Sequence, residues 1–142
     1  MDGPDGPLDV PTLRTLGQRS ASHPLVDGWR LEPAVSPRKL VVDLDPGSYP
    51  AGVSAARIDA RWFDSGDYSV HYVETRADTE WQCRWDRHAK PSAPRAHVHP
   101  PPDAGVAEPS PLEAHDPLGV WFAILDWIRE HVATLFEELD EG

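Results

Sequence analysis

Ser54-Ala-Ala-Arg-Ile-Asp-Ala-Arg-Trp-Phe63, Tyr68-Ser-Val-His-Tyr-Val-Glu-Thr75 and Glu80-Trp-Gln-Cys-Arg-Trp-Asp-Arg87 follow one another in close succession. Each alternates apolar and polar side chains, the pattern of a strand with one face buried. The links Asp64-Ser65-Gly66-Asp67 and Arg76-Ala77-Asp78-Thr79 are too short for a crossover and suit hairpins. The stretch therefore predicts an antiparallel meander. Ile58, Ala60, Trp62, Tyr68, Val70, Tyr72, Trp81, Cys83 and Trp85 fall on one face. Arg57, Asp59, Arg61, Ser69, His71, Gln82, Arg84 and Asp86 fall on the other, which is either solvated or functional.

Upstream, Lys39-Leu-Val-Val-Asp-Leu-Asp45 reads as a fourth strand closed by Pro46-Gly47 and Pro50, and Leu25 to Leu31 as a shorter fifth. Downstream, Asp116 offers an N-cap carboxylate and Pro117 a first helical residue. Trp121, Ile124, Leu125, Ile128, Val132, Leu135, Phe136 and Leu139 then recur at helical spacing. That stripe must cover something, and the apolar sheet face is the available partner. The expected fold is α+β: an antiparallel meander of four to five strands with a long C-terminal helix packed on one face.

Residues 1–24 are expected to be a disordered or weakly helical segment, with two Gly-Pro pairs in the first seven residues and a short helical pattern from Pro11 to Arg19. Residues 25–142 are expected to form a single domain. It carries a Pro/His-rich loop at 88–117, in which the prolines from Pro100 onward forbid regular helix or central strand until the last element.

The chain has 142 residues, enough for one hydrophobic core. It has no apolar run of the roughly 18 residues a membrane span needs, and its start lacks the features of a signal peptide. The expectation is a soluble cytoplasmic protein with no membrane association. Cys83, the only cysteine, excludes an intramolecular disulfide; between two tryptophans it reads as a small buried hydrophobe. Acidic residues outnumber basic ones 24 to 13, and only two of the basic residues are lysines. This balance suits a halophilic cytoplasm, where a Debye length of about 3 Å screens surface carboxylates. An ordinary acidic protein is the alternative.

Between Arg84 and His99 the charge reverses. Arg84, Arg87, Lys90 and Arg95 face only Asp86, so this stretch carries +3 in a chain whose net charge is −11. His88, His97 and His99 sit among them. His97 and His99, two apart on extended chain, point the same way. Three readings follow. In the first, the site is that of a metal-independent ribonuclease: His97 and His99, with His88, move protons at a phosphodiester, Asp86 orients them, and Arg84, Arg87, Arg95 and Lys90 bind phosphate. RNA suits this better than DNA, since its 2′-hydroxyl supplies the nucleophile. In the second, His88, His97 and His99 hold zinc, with Cys83 or Asp86 as a fourth candidate, although the spacing matches no standard zinc signature. In the third, the histidines pack and the arginines pair with carboxylates. Trp81 and Trp85 can stack bases, but the apolar face they share with Cys83 makes core packing the better reading.

The runs Tyr68-Ser-Val-His-Tyr72, Trp81-Gln-Cys-Arg-Trp-Asp-Arg-His88 and His97-Val-His-Pro100 resemble the TumE family of prokaryotic toxin–antitoxin toxins, here in a haloarchaeal-like member. By element order the resemblance covers about residues 35–139, and its specific part is Trp81 to Pro100. Ala89-Lys90-Pro91-Ser92 departs from the pattern, standing where paired histidines are frequent, and leaves Asp86, His88, His97 and His99 as the positions carried over. The resemblance implies a toxin restrained by a cognate antitoxin, commonly a small DNA-binding protein. Action on RNA is one expectation. The other is a non-catalytic binding protein whose basic loop docks a partner or holds a structural metal ion.

Overall fold

A computed structural model describes residues 4, 6–88 and 95–141. Its elements are α1 (Val10–Ser20), β1 (Val26–Glu32), β2 (Lys39–Leu44), β3 (Val53–Trp62), β4 (Tyr68–Arg76), β5 (Thr79–Arg87), β6 (Ala96–His99), β7 (Glu108–Pro109) and α2 (Pro117–Glu141). The strands form one antiparallel sheet in chain order, an unbroken meander from β1 to β7. The fold is α+β, as the alternation implies, with more strands than expected.

The additional strands lie in the stretch read as loop, and the reason is where its prolines fall. β6 ends at His99, just before Pro100, so none of its four residues lacks an amide donor. β7 is a two-residue edge strand, where Pro109 interrupts no interior ladder.

The apolar residues assigned to one face by alternation are the core: Ile58, Ala60, Trp62, Tyr68, Val70, Tyr72, Cys83 and Trp85 are all buried, and Trp81 packs against them partly buried. Burial pushes the Cys83 thiol pKa up to about 12, so it is a packing group. α2 lays Trp121, Ile124, Leu125, Ile128 and Val132 into this core, and Asp116 caps it through Gly119 N–H to Oδ2 at 2.9 Å. The stripe outruns the sheet, leaving Phe136 43% and Leu139 62% exposed.

α1 is better anchored than a pattern limited by Gly17 predicts. Asp9 caps it, accepting from Thr12 N–H at 3.1 Å, and Leu13 and Leu16 are fully buried. Trp121 Nε1–H donates to Ser20 Oγ at 2.6 Å, tying the two helices together. Gly17 is what lets α1 approach the sheet, since a Cβ there would stand 2.3 Å from the Trp29 ring.

Beneath α2 lies a buried polar network. Glu74 accepts from Tyr72 Oη at 2.6 Å and from Arg76 Nε at 2.9 Å, and His131 Nε2 of α2 lies 2.5 Å from its Oε1. Tyr49 and Tyr72 hydroxyls meet at 2.6 Å, and the Trp81 ring stacks on His131 at 4.2 Å. Burial raises the Glu74 carboxyl, but the bonds from His131, Tyr72 and Arg76 outweigh it and hold the pKa below the usual carboxylate range.

Two predictions follow from this packing. Gly17→Ala forces the rigid Trp29 ring or α1 to shift and costs about 1–3 kcal/mol, read by urea unfolding. A depressed Glu74 contributes stability present above the ordinary carboxylate value of 4.5 and lost as pH falls through its folded-state value. Glu74→Gln should lower stability at pH 7 by about 3 kcal/mol, as removal of one member of a buried pair does, and flatten the decline below pH 4.5 seen in unfolding curves.

Candidate functional site

Strand register builds the site on the face opposite the helices. Asp59, His71, Arg84 and His99 pair in sequence across β3 to β6, and Arg61, Ser69, Asp86 and His97 form the adjoining row. Alternation puts all of these side chains on one side of the sheet.

At one end of the rows stands Asp86, only 2% exposed. Its Oδ2 lies 3.2 Å from His99 Nε2, 3.7 Å from His97 Nε2 and 3.9 Å from His88 Nε2. Arg84 Nε–H donates to the same oxygen at 2.8 Å. Oδ1 is buried with no hydrogen-bond partner among the described residues. The imidazoles pack edge to face, with centroids 4.7 Å apart for His88 and His97 and 5.2 Å for His97 and His99. His99 Nδ1 lies 2.8 Å from Gly105 O. A carbonyl only accepts, so Nδ1 carries a proton and Nε2 faces the carboxylate.

At the other end is a cleft of about 220 Å³ lined by Lys39, Asp59, Arg61, Ser69, His71 and Arg84. It adjoins a second hollow of about 520 Å³ through Lys39 and Arg61, where Arg38 adds a further cation and Glu32 a carboxylate. The cleft thus presents three cations against one carboxylate in a protein of net charge −11. Arg84 belongs to both places: it lines the cleft and holds Asp86.

The residues singled out from sequence are brought together unequally. Asp86, His88, His97, His99 and Arg84 converge. His97 is fully buried and His99 nearly so, beneath no helix. Arg87 and Arg95 converge elsewhere, on buried Asp67: Arg87 Nη1–H donates to Oδ1 at 2.7 Å, and Arg95 Nη2–H to Oδ1 and Oδ2 at 2.9 Å. Lys90 lies outside the described residues. Lys39, Arg61 and Ser69 enter as cleft residues and Asp67 as the partner of two arginines. Strand parity gives the first three, but nothing local marks Asp67, which reads as a turn residue.

The family model described as Toxin TumE matches residues 17–132, and the chain belongs to that family. It is the toxin component of a toxin–antitoxin pair, and its partner is an antitoxin. No curated protein and no solved structure matches the chain. No helix among the described residues is long and apolar enough to cross a membrane.

The two arginines on Asp67 make a stability prediction. Asp67→Asn leaves two guanidinium groups without their counter-charge. The cost should be about 1–3 kcal/mol, below the 3–5 kcal/mol of a fully buried pair because water reaches both arginines. Thermal and urea unfolding measure it.

Proposed function

We propose that this toxin acts on RNA in the cytoplasm, seating a backbone phosphate in the cleft of Lys39, Arg61 and Arg84. The observation that carries the reading is the local reversal of charge: the cations of the cleft sit side by side on a surface that otherwise repels polyanions. Arg84 puts that phosphate next to the Asp86 cluster. RNA carries its own nucleophile, so the protein needs only to hold the phosphate, stabilise its developing charge and move protons, without a metal. In this reading His88 and His99, the cluster members that reach solvent, exchange those protons. Asp86 and fully buried His97 are positioning residues. Arg87 and Arg95, already engaged by Asp67, add to the field more than to contact.

The burial of His97 and His99 favours a second reading, in which the toxin binds without turnover and the basic face docks an acidic partner. In both readings the antitoxin, a small DNA-binding protein, restrains the toxin, and the acidic remainder of the surface suits a salt-rich interior.

Lys39→Ala with Arg61→Ala should weaken binding to single-stranded RNA and lower the slope of log affinity against log salt by about 0.7 for each charge removed. Growth inhibition by the double variant should fall in parallel. An unchanged salt slope in a folded double variant would remove the cleft from the reading. Growth inhibition by the wild type with no RNA cleaved in vitro would favour the docking form.

A further inference from the structure

We infer that Asp86, His88, His97 and His99 form a binding site for a divalent transition-metal ion of the zinc type. The inference stands on the cluster's geometry and does not need the RNA reading.

The donor atoms of Asp86, His88 and His97 are already gathered, and His99 stands outside that triad as a fourth donor that meets the same carboxylate. Ligand atoms of Asp86, His88 and His97 all lie within 4.8 Å of one another, and His99 Nε2 approaches the same carboxylate oxygen at 3.2 Å. A tetrahedral ion with bonds of about 2.0–2.1 Å sets its donors about 3.3 Å apart. The separations of 3.2, 3.7 and 3.9 Å from Asp86 Oδ2 to the three nitrogens bracket that edge from slightly below to modestly above. The two longer ones exceed a hydrogen bond, so they are spacings between atoms that can share a neighbour.

The chemistry of the donors agrees. Because Gly105 O fixes a proton on His99 Nδ1, a neutral His99 presents its Nε2 lone pair to a carboxylate oxygen. Two acceptors face each other there unless a positive centre stands between them. A proton on Nε2 meets that need for one nitrogen, whereas one divalent ion meets it for the whole group. Carbonyl anchorage of the far ring nitrogen is also the arrangement that orients metal-binding imidazoles, and a ligating carboxylate is itself hydrogen-bonded, as Asp86 is by Arg84. Asp86 Oδ1 is buried and without a partner among the described residues, so the neighbouring side chains alone do not satisfy this carboxylate. Imidazole and carboxylate together select zinc and its neighbours over calcium or magnesium.

An occupied site has a structural consequence, since its ligands come from β5, the residue after it and β6. The ion would staple the short strand β6 to β5 and so to the body of the sheet. A nitrogen lone pair cannot hold a proton and an ion together, so occupancy turns the imidazoles into ligands; Lys39 and Arg61 of the cleft lie outside the cluster, while Arg84 stays bonded to the ligating carboxylate.

The test uses the full chain, stripped with chelator and titrated with zinc by calorimetry and with cobalt(II) by visible absorption. One ion per chain should bind at micromolar concentration or tighter, with cobalt(II) bands of a tetrahedral nitrogen and oxygen set, and zinc should raise the melting temperature. His88→Gln and His99→Gln should each weaken zinc binding at least 10-fold, while His71→Gln, on the same face but outside the cluster, should not. If His88→Gln fails to fold, His99→Gln and the cobalt(II) spectrum of the wild type carry the decision. Absence of one-to-one uptake, or uptake unchanged in the folded cluster variants, overturns the inference. None of these measurements involves RNA, so a protein that binds zinc but ignores RNA, or the reverse, separates the two readings.

Discussion

A carboxylate taken almost entirely out of water and encircled by imidazoles is the constraint around which the helix-free face is arranged. Asp86 can be buried only because β6 crosses beside β5 in a register that sets His97 directly opposite it and His99 opposite Arg84. A one-residue slip would send both imidazoles to the helix side and leave the carboxylate without them. The segment after β6 completes the enclosure, pairing with β5 around Gln82 and placing Gly105 O on His99.

The sheet carries a second buried carboxylate on its opposite face, in different company. Glu74 is held by Arg76, Tyr72 and His131 below α2, among tryptophan rings. Its partners account for both its oxygens, so it acts as a fastening for the C-terminal helix. Asp86 has an oxygen to spare and a cationic cleft as its neighbour. The contrast sets a fully partnered carboxylate on one side of the sheet and an incompletely partnered one beside a cationic cleft on the other.

The division between faces was legible in the sequence, because alternation in β3, β4 and β5 is regular and a strand has only two sides. The C-terminal helix was legible too, from its cap at Asp116 and its stripe. What escaped reading depends on pairing between distant segments. The proline-rich stretch gives no periodic signal long enough to announce β6 and β7, and α1 owes its anchorage to a glycine facing Trp29, which no local pattern reveals. In the site, the His97/His99 pair showed its common direction by spacing alone. The diversion of Arg87 and Arg95 to Asp67 did not show, since it needs the β3–β4 turn to be brought alongside the ends of β5 and β6.

That diversion has a consequence for how the protein tolerates change. His88 N–H donates to Arg95 O at 2.9 Å, and the arginines flanking this junction grip the same Asp67 oxygen. The chain leaving β5 and the chain entering β6 are thus clamped at their bases independently of what connects them. Closure entropy rises only slowly with the length of a connection, by about 0.6 kcal/mol for each doubling. Lengthening, shortening or rewriting the stretch between His88 and Arg95 is therefore a change evolution can make cheaply, with the imidazoles left where they stand.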